Sequence, residues 1–305
     1  MGRRRLRLRG ILLLFLFLIP SVGTVIYQKE YGFETEESPS GQIAVHIYNG
    51  QQEERLSLDD YLKGVIAAQL PADAADEMVK AMAVVDRTYA AYVAGDRMTL
   101  DGQWLGQTWL SAKERQKKGW LEEKLDQAVS DTNDCKIYSG EDLILPLYFR
   151  LSNGRTRSFE EVWGREAAWL VPVDSLWDKN APDYVQTVTY SGKQLANILS
   201  DSDPSASEWK QITPSMIQIV GKDDSGYVRQ IQIGGQTYEG EALRYLLELP
   251  SSCFDVLAEN DRITFTCYGE GHGVGLSLYG GNAMALEGKD YTEILSYYFT
   301  GTEIR

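Results

Sequence analysis

Hydrophobic residues recur along the chain at two spacings, and these spacings predict the first elements of the fold. Residues 42–48 alternate between apolar and polar positions, which is typical of a strand with one buried face. Ser57, followed three residues later by Asp60, resembles a capping box and predicts the start of a helix. The apolar face of this helix continues to Gln69, and Pro71 ends the helix. A polar side chain therefore closes an otherwise apolar face.

Helical spacing predicts three further helices. The first is capped by Asp73 and runs to Gly95, with an inward face of methionine, valine and tyrosine side chains. The second covers residues 111–130. The third covers residues 290–299, where an aspartate and a glutamate three positions apart form another capping box.

Strands are predicted between the early and the late helices. Residues 136–190 indicate short strands and irregular chain, and residues 227–238 indicate a hairpin that turns at Gly234 and Gly235. Helices at both ends with strands between them are typical of the α+β class. We therefore expect a domain of mixed helices and antiparallel strands.

Two of the three cysteines flank a second predicted hairpin. The residues between Cys253 and Cys267 indicate two strands around a turn centred on Asn260, which would bring the two cysteines opposite each other. A cross-strand disulfide and two reduced cysteines packed in a sheet are both compatible with this spacing. The chain has 2 histidines and no Cys-x-x-Cys spacing, so no metal site is expected.

The charge of the chain limits its partners. Acidic residues outnumber basic ones by 44 to 30, which gives a net charge of −14. Binding to phosphate groups is driven by lysine and arginine, so this balance excludes a non-specific nucleic-acid role.

The order of basic, apolar and acidic segments predicts a single-pass protein of the cell membrane. Residues 1–10 are rich in arginine and residues 11–27 carry no charge, which indicates a transmembrane signal-anchor with the bulk of the chain outside the cytoplasm. A cleaved signal peptide, with small residues at 21–23, is the alternative. Residues 28–40 indicate an acidic linker, and residues 41–305 indicate one folded domain.

A glycine-rich segment carries the densest chemical signal. Glycine occupies every second position from 269 to 275, which allows a ligand or other backbone to approach closely. In an extended chain Glu270 and His272 would point to one side, where a carboxylate and an imidazole can exchange protons or hold a sugar hydroxyl. The alternative is a glycine-rich strand packed against a helix, with His272 bonded to backbone. The segment lacks the motifs of dinucleotide- and phosphate-binding loops, so no cofactor is expected.

Other candidate side chains have two interpretations each. Arg87 lies mid-helix beside Asp86, so a structural salt bridge competes with a contact to substrate. Trp104, Trp109 and Trp120 can stack on sugar rings or fill the core.

Several separate blocks of the sequence resemble one known family. The blocks are residues 58–68 (LDDYLKGVIAA), 80–85 (KAMAVV), 87–89 (RTY), 152–156 (SNGRT) with Trp163, 173–175 (VDS), 177–178 (WD), 272–277 (HGVGLS), 279–285 (YGGNAMA), 288–291 (GKDY) and 294–304 (ILSYYFTGTEI). Together they resemble the SpoIID/LytB family, in the family's order and over nearly all of the predicted domain.

This resemblance implies an α+β SpoIID-like domain, exported and membrane-anchored, that acts on peptidoglycan during sporulation. Members of the family cleave glycan strands as lytic transglycosylases, and their partners are a cell-wall amidase and other engulfment membrane proteins. The family's catalytic glutamate falls at Gln69 in this chain. Two further departures are Phe149, where the family has histidine, and Leu278, where it has glutamine.

The amide at Gln69 leaves three functional predictions open, because an amide cannot supply or take the protons that glycan cleavage requires. The first is a protein that binds glycan strands and supports an amidase without cleaving them. The second is an active lytic transglycosylase with a displaced acid, for which Glu270 is the candidate. The third is a purely structural member of an engulfment complex, which contacts its partners near the basic cluster at residues 113–118.

We expect the site residues to form one groove. The catalytic candidates are Gln69, Glu270 and His272, with Gln69 beside His272 and Ser277. The predicted substrate-binding residues are Arg87, Tyr148, Ser152, Arg155, Ser277 and Tyr279. For Tyr148, Ser152 and Arg155 a surface turn is the alternative.

Overall fold

The computed structural model describes residues 43–49, 52–202 and 209–305. The predicted basic end (1–10), transmembrane anchor (11–27) and acidic linker (28–40) lie outside the described residues. Within the described ranges no helix is both long and apolar enough to cross a membrane.

The described chain divides into two compact units. Unit 1 contains the described residues up to Pro146 together with Lys289–Thr292 and Thr302–Arg305, and unit 2 contains Leu147–Gly288 and Glu293–Gly301. The sequence predicts one folded unit instead, because no linker-like composition separates two parts. The chain enters unit 1 again near its end, so the units are not consecutive in sequence.

The strands form five small sheets among the described residues. They are β1 (Ala44–Asn49), β2 (Gln52–Ser57), β3 (Thr99–Asp101), β4 (Ile137–Ser139), β5 (Asp142–Leu143), β6 (Tyr148–Phe149), β7 (Val185–Ser191), β8 (Ile217–Lys222), β9 (Val228–Ile233), β10 (Gln236–Glu239), β11 (Phe254–Glu259), β12 (Arg262–Tyr268), β13 (Leu276–Ser277) and β14 (Glu303–Ile304). Unit 1 holds the sheets β2-β1-β3 and β14-β4-β5, and unit 2 holds β10-β9-β8, β11-β12-β7 and β13-β6. The strands pair antiparallel except β1 with β3 and β6 with β13.

Helices of 4 to 19 residues accompany these sheets. They are α1 (Leu58–Gln69), α2 (Asp76–Ala94), α3 (Gly102–Leu105), α4 (Ala112–Lys117), α5 (Glu122–Asp131), α6 (Phe159–Trp163), α7 (Gly192–Ser202), α8 (Gly240–Leu246), α9 (Leu278–Leu286) and α10 (Tyr291–Tyr298). Helices combined with mainly antiparallel sheets confirm the predicted α+β class.

The first predicted helix is confirmed at both ends. The Ser57 side chain accepts a hydrogen bond from the Asp60 backbone N–H at 3.1 Å, and α1 ends at Gln69, two residues before Pro71. The buried residues of α1 are Tyr61, Leu62, Gly64, Val65, Ile66 and Ala67. Burial of this face against α2 and α5 stabilises the helix.

Helix α2 ends at Gly95 as predicted, but it begins differently. Its N-cap is Ala75, which makes no side-chain cap, and the predicted cap Asp73 lies outside the helix. Asp76 and Glu77 in the first turn supply negative charge at the positive end of the helix dipole. Nearly all of α2 is buried, including its central Asp86, because α1, α5 and the β4-β5 hairpin all pack against it.

The prediction of one continuous helix over residues 111–130 is wrong. It is two helices, α4 and α5, and Ser111 forms a capping box with Glu114 at the start of α4. Gly119 between them has a φ of +87°, which breaks the helical path and lets Trp120 turn into the core.

The hairpins of unit 2 confirm one predicted turn and correct another. Strands β9 and β10 turn at Gly234 and Gly235 as predicted. Between β11 and β12 the turn holds two residues, so Phe254 rather than Cys253 faces Cys267. Both cysteines are free and buried, which confirms the reduced alternative. The single-residue shift follows from the turn length, because register in a hairpin depends on it.

Candidate functional site

Helices α1 and α2 bring two polar side chains together inside unit 1. Gln69, in the last turn of α1, donates a hydrogen bond from Nε2 to Asp86 Oδ1 at 3.1 Å. A second amide, Gln107, donates from Nε2 to the same oxygen at 2.7 Å. Asp86 Oδ2 is buried and has no hydrogen-bond partner among the described residues. We call Gln69, Asp86 and Gln107 the amide–acid cluster.

Asp86 is fully buried, and its burial changes its acidity. Loss of solvent raises the pKa of the Asp86 carboxyl to about 7, although both amides and the charge of Arg87 act in the opposite direction. The carboxyl group is therefore partly protonated near neutral pH. The sequence contained one signal for this, since Asp86 interrupts an almost wholly apolar helix.

A cavity of about 320 Å³ in unit 1 shares Gln107 with the amide–acid cluster. Its lining combines aromatic, amide and carboxylate side chains, namely Ile47, Tyr61, Gly102, Gln103, Gly106, Gln107, Trp109 and Glu114. The Tyr61 hydroxyl donates to Gln107 Oε1 at 3.4 Å. Hydrogen bonds therefore run from the cavity wall through Gln107 to Asp86.

Trp109 is placed on the cavity wall by a glycine of α1. A Cβ atom at Gly64 would lie 2.2 Å from Trp109 Nε1, so a side chain at that position would displace the indole ring. The Leu110 backbone N–H also donates to the Gly64 carbonyl oxygen at 3.2 Å. The position of Trp109 in the cavity wall therefore depends on the close approach of residues 109–110 to α1.

Arg87 serves the fold of unit 1. Its guanidinium donates to the carbonyl oxygens of Thr132 at 2.7 Å and Val129 at 3.1 Å, at the end of α5. Terminal carbonyls of a helix need such donors. The nearby carboxylate is Asp59 at 3.9 Å, so the expected salt bridge to Asp86 is not formed. These contacts favour the structural interpretation of Arg87.

In unit 2 the glycine-rich segment is not an extended strand. Gly269, Gly271, Gly273 and Gly275 all have positive φ, between +79° and +107°, so the chain bends at each of them. A Cβ atom at Gly275 would lie 2.1 Å from the Leu147 carbonyl oxygen. The expectation that Glu270 and His272 share one side of an extended chain is therefore wrong. The glycines serve close packing of backbone on backbone.

Glu270 is held by donors of its own unit. Arg150 Nη1 donates to Glu270 Oε2 at 2.8 Å, and Gln186 Nε2 lies 3.4 Å from the same oxygen. Among the described residues no hydrogen bond joins Glu270 to His272. The two therefore do not form the proton-exchanging pair that their spacing suggested.

His272 is bonded to backbone and enclosed by aromatic rings. Its Nδ1 accepts from the Val274 backbone N–H at 3.1 Å, and the Tyr148 backbone accepts from the ring. The ring centroids of Phe149 and Trp163 lie 5.8 and 5.5 Å from that of His272. This enclosure, with positive charge nearby, lowers the pKa of His272 to about 4. The imidazole is therefore neutral near pH 7, and its bonds to backbone agree with the alternative interpretation of His272.

Ser152 and Ser277 meet at a buried aspartate. Asp178 Oδ2 accepts from the Ser152 hydroxyl at 2.6 Å, and Asp178 Oδ1 accepts from the Ser277 hydroxyl at 2.7 Å. Ser277 also caps α9 by accepting from the Gly280 N–H. Burial raises the pKa of Asp178. All three side chains are fully buried, so their observed task is structural and their contact with a substrate stays a prediction.

Arg157 fastens the glycine-rich segment to the rest of unit 2. Its backbone N–H donates to the Gly273 carbonyl oxygen at 2.7 Å, and its guanidinium forms buried ion pairs with Asp223 at 2.8 Å and Glu241 at 2.6 Å. The guanidinium also lies over the Tyr227 ring. Sequence reasoning missed Arg157 and Asp178, because the partners that define their roles lie 26 to 99 residues away.

The remaining predicted residues lie nearer the surface. Arg155 forms an exposed ion pair with Asp174 at 3.1 Å, which suits a surface turn. Tyr279 is half-buried, and its backbone N–H donates to the Arg150 carbonyl oxygen at 3.1 Å. Tyr148, in β6, pairs with Leu276 in β13.

The structure distributes the predicted site over both units. Gln69 and Arg87 belong to unit 1, and the other predicted site residues belong to unit 2. The expected proximity of Gln69 to His272 and Ser277 stays a prediction. In the part of the chain that the structure describes, no group of three or more His, Cys, Asp or Glu side chains could hold a metal ion.

Comparison with known proteins supplies the family. The SpoIID family model, described as stage II sporulation protein, matches residues 49–138. The chain is 31% identical over 286 residues to stage II sporulation protein D of Bacillus subtilis (strain 168), which covers 90% of this chain and 81% of that protein. For the protein of the same name from Bacillus amyloliquefaciens the identity is 29%, over 88% of this chain and 80% of the relative.

A second kind of relative is also similar. The amidase enhancer of Bacillus subtilis (strain 168) is 23% identical over 296 residues, which span 80% of this chain and 40% of that protein. The match to stage II sporulation protein D extends over most of both proteins, well beyond the region of the family model. The chain therefore belongs to the SpoIID/LytB family.

Proposed function

We propose that this protein acts on the cell wall during sporulation by binding peptidoglycan glycan strands, with the cavity of unit 1 as a sugar site. The observation that carries the proposal is the lining of the cavity, where Tyr61 and Trp109 lie near Gln103, Gln107 and Glu114. Aromatic rings cover the apolar face of a sugar, and amide and carboxylate groups bind its hydroxyls. A volume of about 320 Å³ lies at the lower end of the range for small-molecule sites.

The proposal also covers the cellular location of the protein and its protein partners. The names of its relatives refer to sporulation and to amidase enhancement. We propose that the glycan-bound protein supports a cell-wall amidase during engulfment, held at the cell membrane by residues 11–27. The displaced acid that the sequence suggested, Glu270, is less favoured, because Arg150 and Gln186 both donate to its carboxyl group.

The cavity can be tested with single substitutions in the full chain, solubilised in detergent. We expect Trp109→Ala and Gln103→Ala to weaken binding to purified, peptide-free glycan strands by about 5- to 20-fold, the effect of losing one ring contact or one or two hydrogen bonds. The matched control is Gln116→Ala, an exposed glutamine on α4 outside the cavity.

Co-sedimentation with the strands measures the effect. If the unaltered protein does not bind glycan, the proposed function is wrong. If all three variants bind equally well, the protein binds glycan somewhere other than this cavity.

A further inference from the structure

Asp86 differs from the other buried carboxylates of this protein. Both oxygens of Asp178 accept hydrogen bonds from hydroxyl groups, and Asp223 is paired with Arg157. Asp86 has two amide donors on Oδ1, no partner on Oδ2 and no ion pair among the residues that the structure describes. A buried carboxyl group without an ion pair lowers the stability of the fold. Such groups are found preferentially at functional sites, where a shifted pKa serves the chemistry.

We propose that Asp86 is the proton-donating acid of a glycan-cleaving site, and that it replaces the carboxyl group that the family resemblance places at Gln69. The geometry that carries the inference is the contact itself, because Gln69 Nε2 and Asp86 Oδ1 are 3.1 Å apart. The carboxyl group has moved from the end of α1 to the facing position on α2. The inference rests on the proposed glycan binding and adds cleavage to it.

The chemistry requires one group that gives and then takes a proton. The Asp86 carboxyl group donates its proton to the glycosidic oxygen while the bond from that oxygen to the muramyl C1 breaks. The muramyl 6-hydroxyl oxygen then bonds to C1 and releases its proton to the Asp86 carboxylate. The products are a 1,6-anhydromuramyl end and a new sugar hydroxyl, no water is consumed, and Asp86 regains its proton.

Access to Asp86 runs through Gln107. This half-buried side chain lines the cavity and bonds both Tyr61 and Asp86. Rotation of the Gln107 side chain away from Oδ1 opens the carboxyl group toward the cavity, and such rotations are fast. The cavity and the acid therefore belong to one site in unit 1.

The charged groups around Asp86 and its burial favour a role as an acid. Among the described residues, Arg87 is the charged group that acts on Asp86, and its guanidinium donates to the end of α5 instead. Burial outweighs this charge and raises the pKa of Asp86 to about 7. A carboxyl group with this pKa carries a proton in much of the population near neutral pH, which a general acid requires.

The test uses the full chain in detergent with peptide-free glycan strands, and mass spectrometry counts 1,6-anhydromuramyl ends. We expect the unaltered protein to form these ends and Asp86→Asn to lose at least about 100-fold in rate, with glycan binding changed by less than about 3-fold. The combined Gln69→Glu and Asp86→Asn protein should regain cleavage. Asp96→Asn, an exposed aspartate just beyond α2, is the matched control and should cleave normally.

The pH profile gives a second readout. Cleavage by the unaltered protein should fall as the pH rises through about 7, where Asp86 loses its proton. If Asp86→Asn fails to fold, as judged by its thermal transition, this profile decides. A rate that stays constant from about pH 5 to 9 would then overturn the proposal.

Three results contradict the inference and separate it from the proposed function. Glycan binding without anhydromuramyl ends overturns the acid at Asp86 and leaves the binding function intact. No binding at all removes both. Full cleavage by Asp86→Asn together with its loss in Glu270→Gln would show that the acid is Glu270.

Discussion

At the scale of the residue, the chemistry of this protein depends on which buried charges have partners. Asp86 and Asp178 are both buried. Asp86 forms no ion pair among the described residues, whereas Asp178 has a hydroxyl donor on each carboxyl oxygen. Arg87 and Arg157 are both buried. The guanidinium of Arg87 donates to backbone carbonyl oxygens, and that of Arg157 forms ion pairs with two carboxylates. Asp86, whose buried Oδ2 has no hydrogen-bond partner among the described residues, is the carboxyl group for which a function is proposed.

Asp86 should make stability depend on pH. Its pKa is raised from 3.8 to about 7 in the folded state, so folding favours the protonated form. The stability linked to this group is complete below about pH 4 and is lost as the pH rises through about 7, with an upper limit of about 4 kcal/mol. We therefore expect Asp86→Asn to gain stability relative to the unaltered protein between pH 5 and 8.

Denaturant unfolding of both proteins at several pH values measures this difference. The other titrating groups are common to both, so they cancel. A difference that is constant over this range would contradict the raised pKa.

Two arginines near each other in sequence should differ greatly in their effect on stability. Arg157 is buried and bridges Asp223 and Glu241, whereas the ion pair of Arg155 with Asp174 is exposed to solvent. Arg157→Met leaves buried Asp223 without an ion pair and leaves Glu241 with Arg244 alone, and it should cost about 3–5 kcal/mol. Arg155→Met should cost at most about 1 kcal/mol. Equal free energies of unfolding for the two variants would refute the structural role of Arg157.

At the scale of the element, the glycine-rich segment acts as a packed backbone layer. Its four glycines bend the chain, and five backbone N–H or carbonyl groups of the segment bond to facing parts of unit 2, including both groups of Glu270 with Leu151. His272 is held within this layer between two aromatic rings. The segment therefore holds one imidazole by backbone and ring contacts.

Close packing should make the glycines of this segment irreplaceable. Gly275→Ala combines a φ of +86° with a Cβ only 2.1 Å from the Leu147 carbonyl oxygen. Gly288→Ala is the matched control, because its φ is +91° and nothing lies within 4 Å of the added Cβ. We expect the control to cost about 1–2 kcal/mol from backbone strain, and Gly275→Ala to cost at least about 2 kcal/mol more.

Thermal unfolding of the two alanine variants checks this expectation. Similar transition temperatures for both would mean that the Leu147 loop moves aside easily. The layer would then be softer than its contacts indicate.

At the scale of the whole molecule, an acidic chain begins with an arginine-rich end. The net charge is −14 despite the five arginines within residues 1–10, so the remainder is strongly acidic. This asymmetry is the ground for the expected orientation, with residues 11–27 in the membrane and the two compact units outside the cytoplasm.

The anchor makes a testable prediction about the full chain. Expressed in a sporulating host, it should sediment with membranes and retain its uncleaved mass of 34.3 kDa. Removal of residues 1–27 should release the protein from the membrane fraction. A shorter mature protein, beginning soon after residue 23, would instead favour the cleaved signal peptide.

Local signals in the sequence predicted the parts of the fold that depend on neighbouring residues. The cap at Ser57, the stop at Pro71 and the turn at Gly234 and Gly235 are confirmed, because each depends on a few adjacent backbone groups. The family and the α+β class were also predicted, since sequence motifs and element order are properties of the linear chain.

The tertiary structure decided what depends on residues distant in sequence. Gln107 meets Asp86 across 21 positions, and Asp178 meets Ser277 across 99. Trp120 is buried where the chain breaks at Gly119, and helical spacing did not show this break. Phe254 pairs with Cys267 because the turn between β11 and β12 holds two residues. Hydrophobic spacing does not show the length of this turn. Composition determined that this chain has an acidic body with a basic end. Only packing determined that the carboxyl group of Asp86 is buried without an ion pair among the described residues, because burial and partners are properties of the folded chain.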